Sequence, residues 1–442
     1  MLTQYQHSTH PQPKYQSTAI NTKTLAIAAI LAVMSANALA GATWSTPVKL
    51  ATDATTQGIL NPDIATNASG QKVSVWVQAG QVKASLYQNG AWGSIITLSQ
   101  AVQGVSTPAV ALTDAGEAAV VWLESQGAGL ATVQASFYSG GVWAAPVTVS
   151  NTGMNAVNPK VGFSGSGQAT LAWSEKDSAG TQCGIMTTTG TPSMGWSTAQ
   201  SLGSSCNSYV WLSVNSIGEA AVAWSDVSGL NGLGVSAASR DMNGNWGAST
   251  VLVAPQYRQY LPGLSLGEDG TAVVIWNNAY TGLMWSRKRR DGGWSPAAAV
   301  NPNYYNYATG ADVAVDGQGN ATAVFLVWVM TPTGAVAYPL QSAQLKAGSG
   351  TWSKAVYVTG KSQNIYNFAV DASPAGSLVV GWSDSTKSGA ASMLPGETRW
   401  SSASLGKGGY QVSVDASSGS AALLWNNTYA PVSLYTSTAV TP

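Results

Sequence analysis

Glu124, Glu175, Asp226 and Asp384 occupy one recurring place: each lies two residues after a tryptophan in a phrase that the chain repeats. The same place holds Gln78, Asn278 and Asn427 in other copies, and Val327 in the copy that breaks the set. Two such carboxyls roughly 5–9 Å apart, one with a raised pKa, would suit cleavage of a glycosidic bond. A ring of polar groups around a binding face would use the same residues without catalysis. A local explanation also exists: each side chain caps a turn by accepting backbone N–H groups, which amides and carboxylates do equally well.

Composition excludes other chemistries. Both histidines, His7 and His10, lie near the N-terminus, within residues 1–40. The rest of the chain therefore has no Ser-His-Asp or Cys-His catalysis and no His-ligated metal. Asp114, Asp269, Asp316 and Asp415 stand before glycines, where tight turns want a capping side chain and a permissive φ. No D-x-D-x-D-G spacing occurs, so calcium is not expected there, and neither is any other metal or cofactor.

Residues 1–40 read as a secretory signal peptide. An apolar run, Thr24 to Met34, follows Lys14 and Lys23 and leads to Ala38-Leu39-Ala40, a small-x-small cleavage site. The run is short for a membrane-spanning helix, which is the alternative. Cleavage near Ala40-Gly41 would leave a single domain, 41–442, that is secreted or periplasmic. Without the two leader lysines the chain carries 17 basic and 19 acidic residues. That balance offers no basic surface, so neither nucleic acid nor an anionic membrane is an expected partner. Cys183 and Cys206 in an exported chain read as a disulfide, against the alternative of two buried thiols.

The elements that must position these residues are repeats. Eight phrases run from a glycine to an aromatic six residues later: Gly70–Trp76, Gly116–Trp122, Gly167–Trp173, Gly218–Trp224, Gly270–Trp276, Gly319–Phe325, Gly376–Trp382 and Gly419–Trp425. A second phrase alternates with them, beginning at Trp44, Trp92, Trp143, Trp196, Trp246, Trp294, Trp352 and Trp400. Two further β-like segments fill each unit, as in PAVALTD (108–114) and TVQASFY (132–138). Four strands in about fifty residues, repeated eight times, predict an all-β, eight-bladed β-propeller of antiparallel blades. The strand at Trp44 to Leu50 is expected to complete the last blade and close the ring. An open solenoid would want capping repeats, which are missing.

In a propeller the connections alternate between two faces. The tight turns before the repeat glycines share one face with the runs before the outer tryptophans. Ser239-Arg240-Asp241-Met242-Asn243-Gly244-Asn245-Trp246 is such a run, and SFYSGGVW (136–143) and SLYQNGAW (85–92) are looser versions. Here the chain resembles the bacterial BNR/Asp-box repeat propellers, the superfamily of the sialidases. The resemblance covers most of residues 41–442 as a repeat pattern, with degenerate boxes and none before Trp400. It implies fold rather than activity, because the Asp box is a structural turn remote from that family's active site. The sialidase arginine triad cannot be assembled from six arginines of which none lies in the first three blades. Arg287-Lys288-Arg289-Arg290 reads as a solvated turn.

The opposite face receives the polar ring and five aromatic loops. These carry Tyr209 and Trp211; Tyr257, Arg258 and Tyr260; Tyr304, Tyr305 and Tyr307; Tyr366; and Tyr410. Rigid rings beside amides suit sugar or peptide recognition, and packing between blades is the alternative use. The concentration in blades 4 to 8 favours recognition. The expected function is thus a secreted, non-catalytic propeller binding a carbohydrate or protein ligand. Its candidate ligand-binding residues are Trp211, Tyr257, Arg258, Tyr260, Tyr304, Tyr305, Tyr307, Tyr366, Glu124, Glu175, Asp226 and Asp384. A glycoside hydrolase or lyase using a carboxylate pair on that face is the alternative.

Overall fold

The computed structural model describes residues 42–54, 58–99, 104–206, 209–227, 233–256, 259–278, 281–300, 308–427 and 431–441, which belong to one compact unit, Gly41–Pro442. Eight antiparallel blades of four strands form it, three of them with an extra short outer strand. Blade 4 is representative: Val210–Val214, Ala220–Val227, Leu233–Arg240 and Thr250–Gln256 lie side by side in chain order. The innermost strands, from Ile59–Thr66 in blade 1 to Gly409–Ser417 in blade 8, each touch the innermost strands on either side. The eighth touches the first, so the ring is closed. Val48–Asp53 pairs with Val432–Ala439 and supplies the outer strand of blade 8, so the chain's two ends share one sheet.

The repeat phrase builds the second strand of each blade, and that strand is buried on both faces. Lys72–Gln78 and Ala321–Val327 are buried along nearly their whole length, as a strand sandwiched between two neighbouring blades must be. The repeat aromatic is a wedge against the preceding blade. Trp122 packs on Val75, Val77 and Val82 of blade 1, and Trp276 on Ala223 and Val235 of blade 4. At the seam Trp76 meets Ala422, Leu424 and Leu434 of blade 8. Phe325 fills the role in blade 6 against Ile275 and Trp285.

A second device joins the blades near the ring's axis. The inner edge of each blade would expose N–H groups, and side chains from the preceding blade accept several of them. Asp63 Oδ2 accepts from Val110 N at 3.0 Å, and Asp312 Oδ2 from Val370 N at 3.3 Å. These two aspartates pair across their blade with Val75 and Val324, each one residue before the repeat aromatic. Two residues further along, Asp371 accepts from Ala416 N at 2.8 Å and Asp415 from Thr66 N at 2.7 Å. Ser213 and Ser265 do the same with hydroxyls, toward Leu266 N and Val315 N. Asp415 therefore departs from the turn expected of it. It lies inside the innermost strand of blade 8, because the glycine turn there begins two residues later, at Ser417–Ser420.

Cys183 and Cys206 form a disulfide within blade 3, from the start of its third strand to the segment that follows its outer strand. No helix among the described residues is long and apolar enough to cross a membrane.

Candidate functional site

The polar ring resolves into separate structural tasks. Side chains two apart on a strand share a face, so a polar residue two after the repeat tryptophan can reach back to its indole. Glu175 does so: its buried Oε2 accepts Trp173 Nε1–H at 2.8 Å. Gln78 does so with Trp76 at 3.0 Å and donates to Thr52 O. Trp122 Nε1 is buried without an acceptor, although Glu124 stands two residues on, half-buried within a strand that continues to Gly127. Asp384 caps its own turn, accepting from Thr386 N and Lys387 N at 2.7 Å each. Asn278 accepts from Thr281 N and Asn427 from Ser433 N. Asp226 pairs through its backbone with Gly234, and its side chain lies outside the description.

Among the aromatics, Trp211 is half-buried in the innermost strand of blade 4 and packs against the cluster around Trp276. Tyr209 beside it is 48% exposed, its ring centroid 6.3 Å from that of Trp211. Tyr366 is 61% exposed next to the buried Ile365. Tyr260 pairs with Asn277 through its backbone, with its side chain outside the description. Tyr257, Arg258, Tyr304, Tyr305 and Tyr307 lie outside the described residues.

The structure adds an element that sequence reading missed. In blade 6 the link between the second and third strands grows into a small hairpin, Val329–Met330 paired with Val336–Ala337. It presents Trp328, Met330 and Val336 to solvent, Met330 being 63% exposed and facing Val336 across the pair. Tyr338 ties the hairpin to the loop of Tyr366: its N–H donates to Asn364 Oδ1 and its carbonyl accepts Ile365 N–H, both at 3.1 Å. Two signals were available. Val327 breaks the polar ring at this blade, and Trp328 is a tryptophan outside both repeat phrases.

The innermost strands carry the carboxyls whose acidity is most altered. Burial pushes Asp312 up to about 7, although two backbone N–H bonds oppose the change. Burial raises Asp63 as well, offset in part by the charge of Lys160 on blade 3. Asp371 and Asp415 touch each other, and both are raised, first by burial; at Asp415 the negative charge of Asp371 adds to it. With their backbone donors these groups are joints between blades; of the four only Asp415 stands out in the sequence, and there as a turn aspartate.

No family model matches the chain, and neither does any curated protein. Solved structures do. An alpha-L-arabinanase from Penicillium chrysogenum is 13% identical, with 89% of this chain and 98% of that one covered and a TM-score of 0.45. A sialidase from Streptococcus pneumoniae is 8% identical over 92% of this chain and 95% of that one, with a TM-score of 0.40. The fucose-recognising lectin of Aleuria aurantia, a six-bladed propeller, is 12% identical over 79% and 96%, with a TM-score of 0.39. Likenesses this remote carry no argument about what the present chain binds or cleaves.

Proposed function

We propose that the chain is an exported, non-catalytic binding propeller that takes a carbohydrate on the face of the aromatic loops. The observation that carries this reading is the exposed group on blades 6 and 7. Trp328, Met330 and Val336 stand in solvent on a hairpin tied by hydrogen bonds to the loop of Tyr366. Exposed rings on a braced segment offer planar apolar surface at low entropic cost, and neighbouring amides can meet hydroxyls. Of the four carboxylates from which the catalytic alternative would draw its pair, two are engaged elsewhere, Glu175 on an indole and Asp384 on its turn. Export through the leader, cleaved near Ala40-Gly41, accords with the disulfide of blade 3.

A glycan array and a hydrolysis and lyase screen on residues 41–442 test the reading together. Saturable glycan binding without turnover is expected, weakened about tenfold or more by Trp328→Ala combined with Tyr366→Ala. Turnover that disappears in Glu175→Gln or Asp226→Asn with the fold intact would establish the glycosidase or lyase instead. Capture of a protein ligand and no glycan would retain the face and reject the sugar.

A further inference from the structure

On the opposite face, between blades 4 and 5, lies a cavity of about 290 Å³ lined by Glu219, Arg240, Asp241, Trp246, Lys288 and Arg290. We propose that it is a second binding site, for a sugar-sized molecule that bears a carboxylate or sulfate. The proposal is independent of the aromatic face and rests on Arg240.

Arg240 is the last residue of the third strand of blade 4 and only 3% exposed. Its guanidinium lies 5.7 Å from the ring centre of Trp246. Nε and Nη2 donate to one acceptor, Gly218 O, at 3.2 and 2.9 Å. Among the described residues Arg240 forms no ion pair. Buried charges are ordinarily paired, because leaving water without a partner is costly. A planar fork with N–H groups to spare at the wall of a cavity matches a planar or tetrahedral oxyanion.

The acidic groups nearby do not fill that place. Glu219 accepts from Arg290 Nε at 2.7 Å, from Arg290 Nη2 at 3.2 Å and from Asn215 Nδ2 at 2.7 Å. Asp241 is held inside its own turn, accepting from Asn243 N, Asn245 N and Asn245 Nδ2. Lys288 Nζ donates to the carbonyls of Arg289 and Arg290 and adds positive charge at the rim. The lining thus holds three cations and two engaged carboxylates. Arg289 and Arg290 lie in an exposed turn, as their sequence leads one to expect, and Arg290 also reaches across to blade 4 to pair with the buried Glu219.

The fold supplies an internal control. A cavity of about 380 Å³ lies at the corresponding place between blades 6 and 7. There Leu345, opposite Ala321, takes the register position that Arg240 holds opposite Ala220. A cavity at the corresponding place without the buried cation gives no reason for an anion to bind. Blade geometry makes the cavity, and one residue makes the chemistry.

Titration calorimetry of residues 41–442 with glucuronate, glucose 6-sulfate, glucose and inorganic sulfate tests the site. One or both anionic sugars are expected to bind and glucose is not. Arg240→Gln and Arg240→Lys are each expected to weaken binding about tenfold or more, the lysine because it lacks the fork. Trp328→Ala with Tyr366→Ala should leave this binding unchanged, which separates it from the aromatic face. Should Arg240→Gln not fold, Arg240→Lys and the Arg240 Nε–H resonance of the unaltered protein, followed by NMR during titration, give the answer. The proposal is overturned if neither anionic sugar binds, if glucose binds equally, or if the resonance and both variants are indifferent. Inorganic sulfate binding as tightly as glucose 6-sulfate would refute the sugar-sized ligand.

Discussion

Glu175 shows how one residue can look catalytic in a sequence and be structural in a fold. Its carboxylate accepts the indole N–H of Trp173, the wedge of the same strand, and both groups are buried. Removing an acceptor from a buried donor costs about 1–3 kcal/mol, whereas replacing it with another acceptor costs far less. Glu175→Ala should therefore destabilise the protein by that amount and Glu175→Gln by clearly less, as urea titration of both variants will show. Equal losses would mean that the bond to Trp173 contributes little. The polar ring was legible in the sequence because spacing alone reveals it. Its division was not, since reaching back to an indole or forward into a turn depends on side-chain length and on the turn that follows. Gln78 and Glu175 are long enough to reach back, and Asp384 and Asn278 cap the turn.

Elements were the easiest scale to read. A glycine turn, a doubly buried strand and an aromatic six residues later specify one blade, and eight copies specify the ring. What escaped was whatever departs from the repeat: the blade 6 hairpin, and the innermost strands, where Asp63, Asp312, Asp371 and Asp415 lie at two different heights. The disulfide belongs to this scale too. It links residues 23 apart in blade 3. A bridge closing a loop of this length stabilises by about 3 kcal/mol in the chain-entropy account. Cys183→Ser with Cys206→Ser should lower stability by roughly that much while leaving the circular-dichroism spectrum of the folded protein unchanged. No measurable loss of stability would show that the neighbouring blades already hold this segment in the unbridged chain.

At the scale of the whole molecule, closure of the ring has a pH dependence written into it. Asp312 joins blade 6 to 7, Asp371 joins 7 to 8, Asp415 joins 8 to 1 and Asp63 joins 1 to 2. All four carry pKa values raised above 3.8, Asp312 to about 7, so the folded chain keeps protons that the unfolded chain releases. Their stabilising effect is complete below about pH 4 and is lost as pH climbs through the folded values, by about 1.4 kcal/mol per pH unit for each carboxyl in its window. The exposed turn carboxylates Asp177 and Asp241 are held below 3.8 by hydrogen bonds and act in the opposite sense, in stronger acid. Lys160, facing Asp63, eases ionisation at that joint alone. The thermal midpoint should therefore be higher at pH 5 than at pH 8. Asp312→Asn, which retains an acceptor for Val370 N but cannot ionise, should flatten part of that slope and raise the midpoint at pH 8 relative to the unaltered protein. Asp371→Asn should act similarly by removing one charge from the Asp371–Asp415 contact. A midpoint that rises from pH 5 to pH 8, or a slope unchanged by both substitutions, would mean that these joints are ionised and satisfied in the folded ring.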